Sequence, residues 1–107
     1  MFTQKVECNL QTTKLNDARR VLTNEVQPLL RNQPGFVDVI EALEPETGHF
    51  VCMTFWKTKE ELDRYDRETF PKIADKLSPF LTEQPTVQNL QVENSTIHNI
   101  AAGKAAA

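Results

Sequence analysis

Apolar and polar residues alternate along the first ten positions. Phe2, Val6, Cys8 and Leu10 share one face, and Thr3, Lys5, Glu7 and Asn9 share the other. A period of two predicts a half-buried strand over residues 2–10. From Leu15 the period changes. Leu15, Ala18, Leu22, Val26 and Leu29 recur at steps of three and four, the stripe of an amphipathic helix, with Arg19, Arg20, Asn24 and Glu25 on its wet side. Thr12 and Thr13 offer an N-cap. Pro34 disfavours helical geometry in the residue before it, so the helix must end by about Gln33. Two apolar strands follow, residues 36–43 and 50–56, joined by the short turn Glu44-Pro45-Glu46-Thr47-Gly48 and therefore paired antiparallel.

The second strand ends in the chain's only tryptophan, Trp56, and Thr58-Lys59-Glu60-Glu61 then reads as a capping box that starts a helix. Leu62 and Tyr65 set its buried stripe. Phe70, Ile73, Leu77 and Phe80 continue it out of phase, with Pro71 at the break, so two helical pieces or a kink are expected. Residues 86–92 form a weakly amphipathic, polar segment suited to an edge strand. The order β-α-β-β-α-β is that of an α+β, ferredoxin-like fold, a four-stranded antiparallel sheet with both helices on one face. Residues 1–96 are expected to form this single domain and residues 97–107 a flexible C-terminal tail.

Both central strands carry apolar side chains on both faces: Val37, Val39 and Leu43 against Phe36, Ile40 and Ala42, and Phe50, Cys52 and Trp56 against Val51, Met53 and Phe55. Helices on one side cover only one face. A homodimer packed through the other sheet face, closing a dimeric α+β barrel, is the expectation.

Composition narrows the class. In 107 residues the net charge is −3, with acidic and basic residues mixed and no basic block, which argues against a nucleic-acid partner. An RNA-recognition module of the same strand order would show Lys or Arg beside stacking aromatics, and 49–55 shows none. No apolar run approaches the roughly 20 residues of a membrane span. The first residues lack a signal-peptide core, so a cytoplasmic location is expected. Cys8 and Cys52 form no CxxC pair and stand near no histidine at ligand spacing, so no metal site is expected and the heavy-metal carriers of this fold are set aside. Both cysteines read as reduced core residues. His49 reads as a turn or sheet-face residue, and Glu41, Glu44 and Glu46 read as a solvated rim around the turn.

Pro34-Gly35-Phe36, together with Phe50-x5-Trp56-x-Thr58-x-Glu60-x-Leu62, resembles the antibiotic-biosynthesis-monooxygenase (ABM) family of dimeric α+β barrels over about residues 3–93. The family's members bind ligands in a cleft between sheet and helices, and its aromatic-polyketide branch oxygenates quinols without a metal or bound flavin. Trp56 matches that branch's strand-end tryptophan. Cys52 stands where it has asparagine, Leu62 where it has tyrosine, Lys76 where it has arginine and Ala42 where it has histidine. Tyr65 stands where the haem-degrading branch has a second tryptophan. That branch's first-strand asparagine matches Asn9 or Cys8, and no histidine occurs near position 75 to ligate haem.

The resemblance implies a cofactor-independent monooxygenase of a small, electron-rich aromatic or quinol. Trp56, Tyr65, Asn9 and Lys76 are the candidate catalytic residues, and Phe50, Cys52 and Leu62 would line the cleft. The alternative is a non-catalytic small-ligand-binding or structural homodimer of the same fold.

Overall fold

The computed structural model describes residues 1–100. Four strands, β1 (Phe2–Asn9), β2 (Phe36–Glu44), β3 (His49–Trp56) and β4 (Thr86–Gln91), form one sheet in the order β2-β3-β1-β4. Every pairing is antiparallel. β4 lies at an edge, and all six of its residues are exposed. The α+β, ferredoxin-like order expected from the hydrophobic pattern is the one observed.

One sheet face is covered by two helical segments. The first comprises a 3-10 turn (Thr12–Lys14), α1 (Leu15–Val21), a π-helical turn (Leu22–Val26) and α2 (Gln27–Arg31). The expected threonine N-cap does not form; the chain enters α1 through the 3-10 turn, and no side chain caps it. The π turn explains which residues are buried. In a regular α-helix each step of four overshoots a full turn by about 40°. The wider π turn takes up that drift, so Ala18, Leu22, Val26 and Leu30 stay in line against the sheet. Leu30, not Leu29, therefore ends the buried stripe, and Pro28 sits in the first turn of α2, where its missing N–H costs little.

The second segment comprises α3 (Lys59–Glu68), α4 (Phe70–Leu77) and a 3-10 turn (Ser78–Phe80). Its start is the capping motif seen in the sequence. The Thr58 hydroxyl accepts from the Glu61 backbone N–H at 3.2 Å and donates to Glu61 Oε1 at 3.0 Å. The break falls at Thr69, one residue before Phe70-Pro71, and gives two helical pieces. The Thr69 hydroxyl donates to Gln33 Oε1 at 2.8 Å and ties the break to the end of the first segment.

Gly48 closes the β2–β3 turn with φ +81°, a conformation that costs a side chain steric strain. The Leu10 N–H donates to its carbonyl at 2.8 Å, and a Cβ at Gly48 would stand 2.1 Å from the Leu10 carbonyl oxygen.

Pairing register assigns the faces. Leu43, Glu41 and Val39 stand opposite Phe50, Cys52 and Thr54 on the helix side, and a bulge between Phe36 and Asp38 returns Phe36 to that side opposite Trp56. Glu41 is thus not part of a solvated rim. It shares the parity of Val39 and Leu43, its Oε1 accepts from Gln27 Nε2 at 3.0 Å, and its Oε2 is buried. The other face carries Ile40, Ala42, Val51, Met53, Phe55 and Leu90, and no helix among the described residues covers it. Ile40 is 51% and Leu90 47% exposed.

Of the expected tail, residues 101–107 lie outside the described residues. Ser95 and Ile100 exchange two backbone hydrogen bonds, at 2.8 and 2.9 Å, around a tight turn. The His98 ring in that turn lies 6.1 Å from the Phe55 ring. No described helix is long and apolar enough to cross a membrane.

Candidate functional site

Between the helices and the sheet lies a narrow cavity. β1 contributes Gln4, Val6 and Cys8, and β3 contributes Phe50, Cys52 and Thr54. The first helical segment supplies Leu22, Val26 and Leu30, and the second supplies Tyr65, Phe70 and Ile73. The space in which the centre of a water molecule fits is about 30 Å³. That exceeds the roughly 10–15 Å³ needed for one water. The lining is almost wholly apolar. A larger surface groove runs between α4 and β4, past Asp75, Ser78, Thr82 and Glu83. It shares Phe70, Ala74, Leu81 and Pro85 with the cavity, so these four residues form the wall between cavity and solvent.

Trp56 is completely buried and does not line the cavity. Its indole N–H donates to the Thr54 hydroxyl at 2.9 Å. Tyr65 stacks on it with ring centroids 4.4 Å apart, and Phe36 meets it edge-on at 5.7 Å. Tyr65, one layer closer, is the member of this pair that faces the cavity. Phe50 and Cys52 line it as the sequence implied, while Leu62 packs in the core behind. Asn9 and Lys76 are not brought to it. Asn9 Nδ2 donates to Glu83 Oε1 at 3.0 Å on the surface, and Lys76 pairs with Glu25 at 3.2 Å across the two helical segments.

Gln4 is the polar residue that the strand pattern passed over. It stands between Phe2 and Val6 on the apolar face, and that placement was its signal. It is 1% exposed. Its Nε2 donates to Asp66 Oδ1 at 2.8 Å, and Asp66 Oδ2 accepts from Asn89 Nδ2 at 3.2 Å. Across the strand pair from Gln4 is Thr54, whose backbone carbonyl accepts from the Thr3 hydroxyl.

The cavity's ionisable groups are held neutral. Burial pushes the Cys8 thiol up to about 11. Burial, then the negative charges of Glu41 and Cys8, push Cys52 up to about 12. Burial raises Tyr65 well above the usual phenol range, and the charges of Cys52 and Asp66 add to it. At neutral pH these groups keep their protons and do not act as bases. Both cysteines are free thiols. Among the described residues no group of three His, Cys, Asp or Glu converges to hold a metal ion.

No protein-family profile matches the chain, and no curated protein sequence matches it significantly. Solved structures do. The chain is similar to a monooxygenase from the ActVA-Orf6 gene of Streptomyces coelicolor, solved with the ligand nanaomycin D, at 17% identity, 88% coverage of both chains and a TM-score of 0.71. It is also similar to Rv0793 from Mycobacterium tuberculosis, at 14% identity, 89% coverage of this chain, 97% of that one and a TM-score of 0.68. A candidate antibiotic biosynthesis monooxygenase from Caulobacter crescentus shares 14% identity over 87% of this chain and 90% of its own, with a TM-score of 0.71. The chain therefore has the α+β fold of the antibiotic biosynthesis monooxygenases, as its strand order and the Phe50–Leu62 pattern implied. At these identities the likeness establishes the fold.

Proposed function

We propose that this chain is a small ABM-type oxygenase that acts on an electron-rich aromatic or quinol in the helix–sheet cavity, drawing the electrons from the substrate itself. The observation that carries this reading is the apolar cavity with Gln4, Thr54 and Tyr65 as its polar groups. A fold shared with a monooxygenase solved with nanaomycin D supports it. In such a reaction one oxygen atom ends on a ring carbon and the other leaves as water, so that a methylene becomes a carbonyl and the four electrons balance. Tyr65 donates a hydrogen bond to the substrate oxygen as its charge grows. With Cys8, Cys52 and Tyr65 all neutral, no cavity side chain is the base; the substrate gives its acidic proton to water and is bound as the anion. The space of about 30 Å³ admits an aromatic ring only when the wall of Phe70, Ala74, Leu81 and Pro85 moves and joins cavity to groove.

A second reading, a non-catalytic small-ligand binder, has one observation in its favour: none of the three ionisable cavity residues is poised to take a proton near neutrality. Oxygen uptake with a panel of anthrones and hydroquinones separates the two. Turnover that falls in Tyr65→Phe supports the oxygenase; binding without uptake across the panel leaves the binder.

The same reading includes a homodimer through the open sheet face. Ile40, Val51, Met53, Phe55 and Leu90 form an apolar surface there, and fully burying a side chain of this kind is worth about 1.5–3 kcal/mol. A second copy, related by a two-fold axis, covers it with the same residues.

A further inference from the structure

We infer that Gln4 is the specificity-determining residue of the cavity and that it selects an apolar ligand bearing a hydroxyl group. This rests on the cavity's being a ligand site. The orientation of the Gln4 amide is fixed by chemistry. Asp66 as a carboxylate only accepts hydrogen bonds, and Gln4 meets Asp66 Oδ1 at 2.8 Å, so the amide nitrogen must be on that side. Asn89 holds the other Asp66 oxygen in place. The amide oxygen, Oε1, is therefore turned the other way. It is buried and has no hydrogen-bond partner, and Gln4 lines the cavity. A buried amide oxygen without a donor is costly and rare in native proteins, and at a cavity it marks the place of a donor, which a water or a ligand's hydroxyl supplies.

Thr54 narrows the class. It is the cross-strand partner of Gln4 and lines the same cavity. Its oxygen already accepts from Trp56 Nε1, so its hydroxyl hydrogen is the part left to give. An acceptor on Gln4 beside a donor on Thr54 matches a group that both donates and accepts. A hydroxyl, as in a phenol or an enol, does so; an ether or a ketone only accepts. Beyond these two, the Tyr65 hydroxyl and the two thiols, the walls, Val6, Leu22, Val26 and Ile73 among them, offer nothing further to a polar ligand. One hydroxyl on an otherwise apolar frame is the chemistry that fits.

The test uses the intact chain, labelled with 13C and 15N, titrated by NMR with 1-naphthol and with 1-methylnaphthalene, which replaces the hydroxyl by a methyl group of similar size. The wild-type chain should bind 1-naphthol about five- to tenfold more tightly, the ratio that a single net hydrogen bond supplies. The Gln4 side-chain carbonyl carbon should shift with 1-naphthol and stay in place with 1-methylnaphthalene. Gln4→Met, which keeps the length of the side chain and removes the acceptor, should cut that ratio severalfold and leave only the part that Thr54 supplies. Equal affinities in the wild type, an unmoved Gln4 carbonyl, an undiminished preference in Gln4→Met, or no binding of either compound overturns the inference. The carbonyl shift is read on the wild type and does not depend on the variant's folding. Oxygen uptake is measured separately: a Gln4 shift with 1-naphthol, alongside no uptake with any quinol, upholds the site and removes the oxygenase reading.

Discussion

Tyr65 lies against Trp56 at a ring separation of 4.4 Å, and it is Tyr65, the outer member of the pair, that reaches the cavity. The two rings divide the work of one layer. Trp56 fills the junction of β3 and α3 and commits its N–H to Thr54, whereas Tyr65 is held flat by the indole behind it. Their substitutions should therefore separate stability from function. Trp56→Ala should lose about 3–5 kcal/mol of unfolding free energy in urea. Tyr65→Phe should stay within about 1 kcal/mol of the wild type, since the ring contact survives. Its oxygen uptake with a turned-over quinol should fall about a hundredfold, as expected for loss of a donor to a developing oxyanion. Equal stability losses in the two variants would contradict the layered arrangement.

The cavity thiols make stability depend on alkaline pH. Cys8 and Cys52 have folded values of about 11 and 12 against 9.0 for the free side chain. Below pH 9 both thiols are protonated in the folded and the unfolded chain, and their contribution is constant. Above pH 9 the unfolded chain releases these protons first and is favoured, so stability falls as pH rises towards 12. The loss from Cys52 should be on the order of 1 kcal/mol by pH 10. Melting temperatures from pH 8 to 11 would show it, and the slope should flatten in Cys52→Ala even though that variant melts lower throughout. In the folded chain at pH 8 neither thiol should react with iodoacetamide at the rate seen in denaturant.

Sedimentation at micromolar concentration should give twice the 12.2 kDa of one chain. Met53→Lys, with a charge in the middle of the open face, should give the monomer mass or unfold. Glu60→Lys, on the far side of α3, should leave the dimer intact. A wild-type monomer would mean that the apolar face meets something other than its own copy.

The two left-handed glycines should respond unequally. At Gly48 a Cβ meets the Leu10 backbone at 2.1 Å, and at Gly35 it meets the flexible carboxylate of Glu61 at 2.3 Å. Both alanine variants carry the strain of a positive φ, about 1–3 kcal/mol. Gly48→Ala must in addition push β1 from the turn, and urea midpoints should rank it clearly below Gly35→Ala.

Much of this architecture was legible because two periods alternate along the chain. The strand of residues 2–9, the hairpin, the Thr58 cap and the break near Pro71 follow from local signals that tertiary packing did not override. The π turn at Leu22–Val26 was not legible. Its one-residue slip is visible only as burial passing from Leu29 to Leu30, and that depends on the sheet beneath. The site was less legible than the fold. Asn9 and Lys76 drew notice as polar residues at family positions, but strand parity and helix rotation send them to the surface. Glu41 and Gln4 lie on buried faces and read as ordinary polar residues, because a lone polar side chain within a strand shows its orientation only once its neighbours are paired. Gln4 could have been found by taking its parity with Phe2 and Val6 at face value.

The wide turn from Leu22 to Val26 is, in effect, a tolerated insertion: one residue more than a regular helix needs. Both its end residues line the cavity. Deleting Asn24 would let the segment run on as an unbroken α-helix, a gain in local regularity. At 100° a residue, a regular helix one residue shorter would still set Ala18, Leu22, Val26 and Leu30 within about 60° of one another. Val26 and Leu30 would stay against the sheet, and Pro28 would be left in a helix interior that cannot accept it. The wide turn and a one-residue deletion thus reach the same phase by different routes, and at the present length the irregularity is what keeps the helix in phase with the strands below it and leaves Pro28 a place to sit.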